Sequence, residues 1–97
     1  MRAIVVMPLA QDDIDHIAAY TFATWGEARM ARYIDGLNER FCQLVVSPEI
    51  GRPHQDIGRQ YRSVVQGSHV IFYRVTGEEL VIVRVLHGRM SAERHLP

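Results

Sequence analysis

The stretch Tyr61–His87, YRSVVQGSHVIFYRVTGEELVIVRVLH, predicts three β-strands joined by two tight turns. The runs Val64-Val65, Val70–Tyr73 and Leu80–Val83 have the β-branched and aromatic composition of strands. Gly67-Ser68 separates the first two runs and suits a two-residue hairpin turn that begins with glycine. The sequence therefore predicts that the rest of the chain packs around a small sheet.

The turn lengths predict how the strands pair. A two-residue first turn places Arg62 opposite Tyr73, and a four-residue second turn places Tyr73 opposite Ile82. The same register places Ile71 opposite Arg84. The last run is almost continuously apolar, which is typical of an interior strand that is covered on both faces.

Alternation along the strands sorts the side chains into two faces. The face expected to pack on helices carries Tyr61, Val65, Val70, Phe72, Val81, Val83 and Val85. The other face carries Arg62, His69, Tyr73 and Arg84 among Val64, Ile71, Ile82 and Leu86. An apolar surface with a few convergent cationic and aromatic groups is typical of a binding site, so we expect this second face to be open.

The part of the chain that precedes these strands predicts one strand and two helices. Residues 2–7 form the strand, and Pro8 suits the first turn of a helix that ends at Gly26. The apolar stripe of this first helix comprises Ile14, Ile17, Ala18, Thr21 and Trp25.

The second helix extends from about Glu27 to Val46. Its apolar seam recurs at helical spacing and comprises Met30, Ile34, Leu37, Phe41 and Leu44. Cys42 lies next to this seam and is expected to be packed as a small hydrophobic residue. Pro48 stops the helix, and residues 47–60 are expected to form a loop.

The element order is strand, helix, helix, strand, strand, strand. This order predicts an α+β fold in which a helical hairpin packs on one face of a mostly antiparallel, twisted sheet. A length of 97 residues is that of one domain, residues 1–97.

Composition narrows the class of protein. The chain is 47% hydrophobic and 23% charged, which is ordinary for a globular protein and argues against disorder. The sequence contains neither a run of roughly 18 apolar residues nor the pattern of a signal peptide. A single cysteine excludes an internal disulfide, so we expect a cytoplasmic protein that does not contact a membrane.

Charge is unevenly distributed along the chain. Up to Gly51 there are four arginines and seven acids, whereas from Arg52 onward there are seven arginines and four acids. This asymmetry is either chance variation or the mark of a sheet surface that meets an anionic partner.

Motifs for catalysis or cofactor binding are absent from the sequence. There is no phosphate-binding glycine loop and no nucleophile elbow, and the five histidines lack metal-ligand spacing, so we expect neither cofactor nor metal. His87-Gly88-Arg89 is the strongest local oddity, because it places two basic residues where the interior strand ends.

Four ordered segments resemble the ParE-type toxins of type II toxin–antitoxin modules, in the RelE/ParE superfamily. They are YTFATWGEARMARYIDGL, SPEIGRPHQDI, YRSVVQGSHVIFYRV and VIVRVLHGRM. The resemblance covers nearly the whole chain in the right order.

The resemblance implies a fold, a partner and a target. It implies a β-α-α-β-β-β chain that inhibits DNA gyrase without catalysis and is neutralised by a ParD-like antitoxin whose C-terminal segment wraps around it. No sequence-specific DNA binding is expected. The residues expected to contact antitoxin or target are Arg62, His69, Ile71, Tyr73, Ile82, Arg84, Leu86, His87 and Arg89.

Two alternatives remain open. RelE-like relatives cleave messenger RNA on the ribosome, and here Arg62, His87 and Arg89 are the candidate catalytic residues. However, Val65 stands where those relatives place an arginine, and no tyrosine follows Arg89. The other alternative is a binding module that has lost its toxicity and retains only its antitoxin.

Overall fold

The computed structural model describes residues 2–55, 60–90 and 92–96. A short 3-10 turn, Pro48–Ile50, follows the second helix. The remaining elements, in chain order, are β1 (Ala3–Val6), α1 (Pro8–Trp25), α2 (Glu27–Val46), β2 (Arg52–His54), β3 (Tyr61–Gln66), β4 (His69–Val75), β5 (Glu79–His87) and α3 (Ala92–His95).

The five strands form one sheet in the order β1-β5-β4-β3-β2. Every neighbouring pair is antiparallel except β1 and β5, which run parallel. The α+β prediction, with a helical hairpin and a mostly antiparallel sheet, is therefore confirmed. The prediction of loop throughout residues 47–60 is wrong in part, because Arg52–His54 pairs with the start of β3 and forms the far edge of the sheet.

The helices pack on one face of the sheet and form the larger hydrophobic core. The helical contribution comes from Ala10 and Ile17 of α1 and from Leu37, Phe41, Leu44 and Val45 of α2. The sheet contributes Ile71, Tyr73, Leu80, Ile82 and Val85. Truncating one of the large side chains to alanine is expected to cost about 2–5 kcal/mol, because the rigid surroundings cannot refill the space.

The face predicted to be open is the face that the helices cover, so that prediction is wrong. Ile71, Tyr73 and Ile82 are fully buried against α1 and α2, and Val64 packs at the border of the same cluster. The sequence misled because the cationic and aromatic groups predicted to converge on this face suggested a binding surface. The Tyr73 ring is buried while its hydroxyl group reaches a backbone carbonyl at the edge of the core, as amphipathic side chains commonly do.

A β-bulge explains the error in register. Tyr73 pairs with Ile82 as predicted, but Ile71 pairs with Val85, and Arg84 pairs with Phe72. The extra residue in β5 is Val83, and from this point on every β5 side chain has changed face relative to the prediction. The first turn has the predicted register, with Gln66 opposite His69 and Gly67 at φ 59°.

The opposite face of the sheet has a smaller apolar cluster. Tyr61, Val81 and Val83 are buried there, and Leu96 at the C-terminal end of the described chain packs against them. This face was predicted to meet the helices. Among the described residues, α3 is the only helix that covers it, and α3 is a single turn. β5 is thus an interior strand with apolar contacts on both faces, as predicted.

Two further findings concern the helices. Cys42 is exposed on α2, so the prediction that it is packed is wrong; its position points away from the seam that meets the sheet. Trp25 is 57% exposed and does not belong to the core stripe of α1. No helix within the described residues is long and apolar enough to cross a membrane.

Candidate functional site

Arg84, predicted to contact a partner, instead forms a bidentate salt bridge with α1. Its Nε and Nη2 atoms donate to the two Asp13 carboxylate oxygens, both at 2.7 Å, and its Nη1 donates to the His95 carbonyl at 2.8 Å. The same carboxylate accepts the backbone N–H of Val85, which lies beyond the end of the β1–β5 pairing. The Asp13 carboxylate raises the pKa of Arg84. This Asp13–Arg84 junction fastens α1 and the end of the described chain to β5.

Arg62 and Tyr73, also predicted contact residues, hold the 3-10 turn against the sheet. Arg62 donates to the Gly51 carbonyl at 2.8 Å, and the Tyr73 hydroxyl donates to the Pro48 carbonyl at 2.6 Å. Gly51 is required here, since a Cβ on it would overlap the Tyr73 hydroxyl group. Burial raises the pKa of Tyr73. Both side chains serve the fold at this corner.

The structure separates Arg62 from His87, two of the three candidate catalytic residues of the ribonuclease alternative. Arg62 pairs with Tyr73 on β4, whereas His87 pairs with His69 at the opposite end of the same strand. Four residues of antiparallel strand span about 14 Å. A general base and a phosphate-binding cation must both reach one scissile phosphate, so Arg62 cannot share a site with His87. Arg89 is exposed and follows β5 in sequence.

His69 and His87 do come together, in a groove between the helical hairpin and the ends of β4 and β5. This helix groove has a volume of about 730 Å³. Its lining comprises His16, Ile17, Tyr20, Thr21 and Trp25 from α1, Arg29, Arg32 and Tyr33 from α2, and Ser68, His69 and His87 from the strand ends.

Tyr33 builds the floor of the helix groove. Its hydroxyl group donates to the Gln66 carbonyl at 2.8 Å and also contacts Nδ1 of His69 at 2.5 Å. Because the hydroxyl has one proton and gives it to the carbonyl, His69 Nδ1 carries a proton and donates to the tyrosine oxygen. The ring also packs on Gly67, where a Cβ would lie 2.6 Å from it. Burial raises the pKa of Tyr33.

His87 completes this cluster. Its ring meets that of His69 edge to face, with centroids 5.7 Å apart, and its Nδ1 accepts the backbone N–H of Arg89 at 3.2 Å. The neutral His87 ring therefore carries its proton on Nε2, the opposite tautomer to His69. Burial lowers the pKa of His69, and the nearby His87 lowers it further.

The helices supply the aromatic and cationic wall that the sequence reasoning missed. The Arg29 guanidinium lies 4.3 Å from the centroid of the Trp25 ring, a cation–π distance. Tyr20, which precedes Trp25 on α1, is 68% exposed. The signal in the sequence was the spacing: His16 and Tyr20 on α1, and Arg29 and Tyr33 on α2, are each four residues apart and so lie on one side of their helix.

A second accessible surface lies on the sheet face away from α1 and α2. Val65 of β3 is 62% exposed there, next to the half-buried Val70 with which it pairs. Arg52 and Arg74 lie on the same face, since they alternate with the side chains that point towards the helices. We call this the outer sheet face. Leu86, predicted to be an accessible contact residue, pairs with Val70 but is only 1% exposed.

Comparison with known proteins identifies the family. Residues 4–92 match the family model described as the ParE toxin of the type II toxin–antitoxin system parDE. The chain belongs to the ParE toxin family. Toxin ParE1 of Mycobacterium tuberculosis is 38% identical over 93 residues, which cover 95% of each chain. Toxin ParE1 of Caulobacter vibrioides is also 38% identical, over 90% of each chain.

A solved structure supports the fold. The chromosomal ParDE toxin–antitoxin system from P. aeruginosa contains a chain that superposes on this ParE family member with a TM-score of 0.76, at 18% sequence identity. The match covers 90% of this chain and 96% of that one. The ParE assignment made from the sequence is thus confirmed.

Proposed function

We propose that this ParE toxin inhibits DNA gyrase in the cytoplasm, and that a ParD-like antitoxin neutralises it by covering the outer sheet face. Membership of the toxin family supports the first part. The second part rests on one observation, the unequal cover of the sheet: α1 and α2 cover one face, and a single helical turn covers part of the other.

The chemistry of the outer sheet face fits an acidic amphipathic segment. Val65 offers exposed apolar area, and Arg52 and Arg74 add positive charge on the same face. In this α+β fold the helical hairpin covers one face of the sheet, so a third layer can pack on the other face. Apolar anchors of the antitoxin would pack on the valines, while its carboxylates would pair with the arginines.

A supercoiling assay tests the target. Purified gyrase is expected to lose supercoiling activity when the toxin is added, and to regain it when the antitoxin is added as well. Normal supercoiling in the presence of folded toxin would exclude gyrase as the target. New messenger RNA 5′ ends after brief expression would instead favour ribosome-dependent cleavage, and harmless expression would favour a binding module without toxicity.

Charge reversal tests the antitoxin surface. Arg74→Glu is expected to raise the Kd for the antitoxin about tenfold or more, because it places a like charge opposite the acidic segment. Arg32→Glu, on α2 in the helix groove, is the matched control and is expected to change the Kd little. The reverse result would move the antitoxin to the helix groove. Arg84 is unsuitable for this test because its charge is needed by Asp13.

A further inference from the structure

The helix groove has an excess of positive charge that its own lining does not neutralise. None of its lining residues within the described chain is acidic, while Arg29 and Arg32 are both exposed. The carboxylate that acts on His69 is that of Asp13, which the junction already commits to Arg84. Three histidines, His16, His69 and His87, add polar ring nitrogens to the same lining. An anionic ligand would complement this lining.

The helix groove also contains exposed aromatic rings close to its arginines. Trp25 is 57% exposed and Tyr20 is 68% exposed, although large aromatic side chains are normally buried. The Arg29 guanidinium already lies over the Trp25 ring, so a planar cation and an aromatic plane are held together at the mouth of the groove. Arginine and tryptophan planes are the surfaces on which nucleic-acid bases stack.

The floor of the groove is fixed before any ligand enters. Tyr33 is held by its hydrogen bond to the Gln66 carbonyl, and His69 by its hydrogen bond to the Tyr33 hydroxyl group. Gly67 packs against the tyrosine ring. The donation from Nδ1 to Tyr33 leaves Nε2 as the other polar atom of the His69 ring, while neutral His87 carries its proton on Nε2. The polar groups of the floor therefore have set orientations, and little ordering entropy is lost on binding.

We propose that the helix groove binds nucleotides of a single-stranded nucleic acid, with a base stacked on the Trp25–Arg29 pair and its phosphate near Arg32 and the histidines. An acidic peptide would satisfy the charge, but it would leave the exposed aromatic planes without a flat partner. A volume of about 730 Å³ is within the range of sites that enclose small ligands, so the groove can accept a nucleotide. This binding is not sequence-specific, because every base has a stacking face.

The single tryptophan of the chain makes the test direct. Trp25 lies in the groove, so stacking on it is expected to quench the tryptophan fluorescence. The full chain is titrated with an eight-nucleotide oligothymidylate, with thymidine monophosphate, with inorganic phosphate and with an oligoglutamate of equal charge. Saturable quenching by the oligonucleotide, with a Kd that rises with salt, is the expected result. Equal quenching by the mononucleotide would identify free nucleotides as the source of the ligand.

Variants locate the binding. With a labelled oligonucleotide and anisotropy as the readout, Arg29→Ala and Trp25→Leu are each expected to raise the Kd about tenfold. Arg29→Lys keeps the charge but loses the plane and is expected to fall between Arg29→Ala and the parent chain. Arg52→Ala, on the outer sheet face, is the control and is expected to leave the Kd unchanged. Circular dichroism checks that each variant is folded.

Three results would overturn the proposal: the absence of saturable oligonucleotide binding, tighter binding of oligoglutamate, or an equal loss of affinity in Arg52→Ala. The test is independent of the gyrase assay. Oligonucleotide binding with normal supercoiling would remove only the proposed target, whereas inhibited supercoiling without oligonucleotide binding would remove only this site.

Discussion

Two polar clusters flank the C-terminal half of β5, and they differ in how fully their groups are paired. The Asp13–Arg84 junction balances one carboxylate against one guanidinium, and hydrogen bonds to Val85 and His95 occupy the remaining directions. The helix groove contains arginine and histidine side chains and no acid among its described lining residues. Polar groups that satisfy one another hold the fold together, whereas an excess of one charge at an open surface is available to a partner.

The contrast explains why residue type alone misled the sequence reasoning. Arginine is a residue type that often binds partners, but Arg84 pairs within the chain with Asp13, which lies on α1 and is distant in sequence. Tyr33 was given no role, yet it organises the groove through two hydrogen bonds. A salt bridge to a residue distant in sequence therefore distinguishes the structural Arg84 from the accessible arginines of the helix groove.

The largest effect is expected from breaking the junction. The Asp13 and Arg84 side chains are only 14% and 13% exposed. Asp13→Asn leaves the Arg84 charge without its partner and should therefore lower the free energy of unfolding by about 2–4 kcal/mol. Urea unfolding measures it. Asp12→Asn, an exposed neighbour on α1, is the control and should change stability by less than about 0.5 kcal/mol. Equal losses in the two variants would show that the salt bridge of the junction does not stabilise the fold more than an exposed carboxylate does.

The next effect comes from deforming the floor of the groove. Gly67→Ala places a Cβ 2.6 Å from the Tyr33 ring and requires alanine at φ 59°, so it should lower the free energy of unfolding by about 1–3 kcal/mol. Gly77→Ala is matched in chemistry, and its Cβ would meet no atom within 4 Å. Thermal unfolding of the two variants compares them. A similar melting temperature for both would mean that the turn moves away from Tyr33 at little cost.

A smaller effect is expected from Tyr33→Phe. The Gln66 carbonyl and His69 Nδ1 each lose a partner while the ring remains, so the free energy of unfolding should fall by about 1 kcal/mol. His69 should also become more mobile, which its imidazole NMR signals would report. Unchanged signals would indicate that packing against His87, and not the hydrogen bond to Tyr33, holds His69 in position.

The smallest effect is a dependence of stability on pH that arises in the groove. The pKa of His69 is lowered in the folded chain, so between its folded value and the ordinary value near 6.5 the unfolded chain binds more protons. The free energy of unfolding should therefore decrease as the pH falls from 7.5 through this window and level off below the folded pKa. His69→Gln should flatten the slope. Urea unfolding at several pH values checks it, and a slope that the variant retains would assign the effect elsewhere.

Local patterns in the sequence were sufficient for much of the fold. The glycine turn at Gly67 set the β3–β4 register, and helical spacing located α1 and α2. The bulge at Val83 was not predictable, because the run Leu80–Leu86 contains no glycine or other local signal of a bulge. This one inserted residue reversed the face of Arg84 relative to the prediction.

For the site, the sequence named two of the groove residues. His87 was named because functional side chains often lie at strand ends, and His69 because alternation placed it on the face expected to bind. The helical wall was missed, because Trp25 was read as part of a core stripe. Only the packing of α1 on α2 shows that this ring lies outside the core. The exposure of the outer sheet face was likewise not predicted, since it depends on which face of the sheet the helices pack against.

The parallel pairing of β1 with β5 has a consequence for synthesis. Residues 3–6 find their partners only when residues 79–82 have been made. At about 5–20 residues per second, translation separates the two strands by roughly 4–15 s. During that interval the nascent polypeptide cannot complete its sheet, so the toxin matures only once nearly the full chain has left the ribosome.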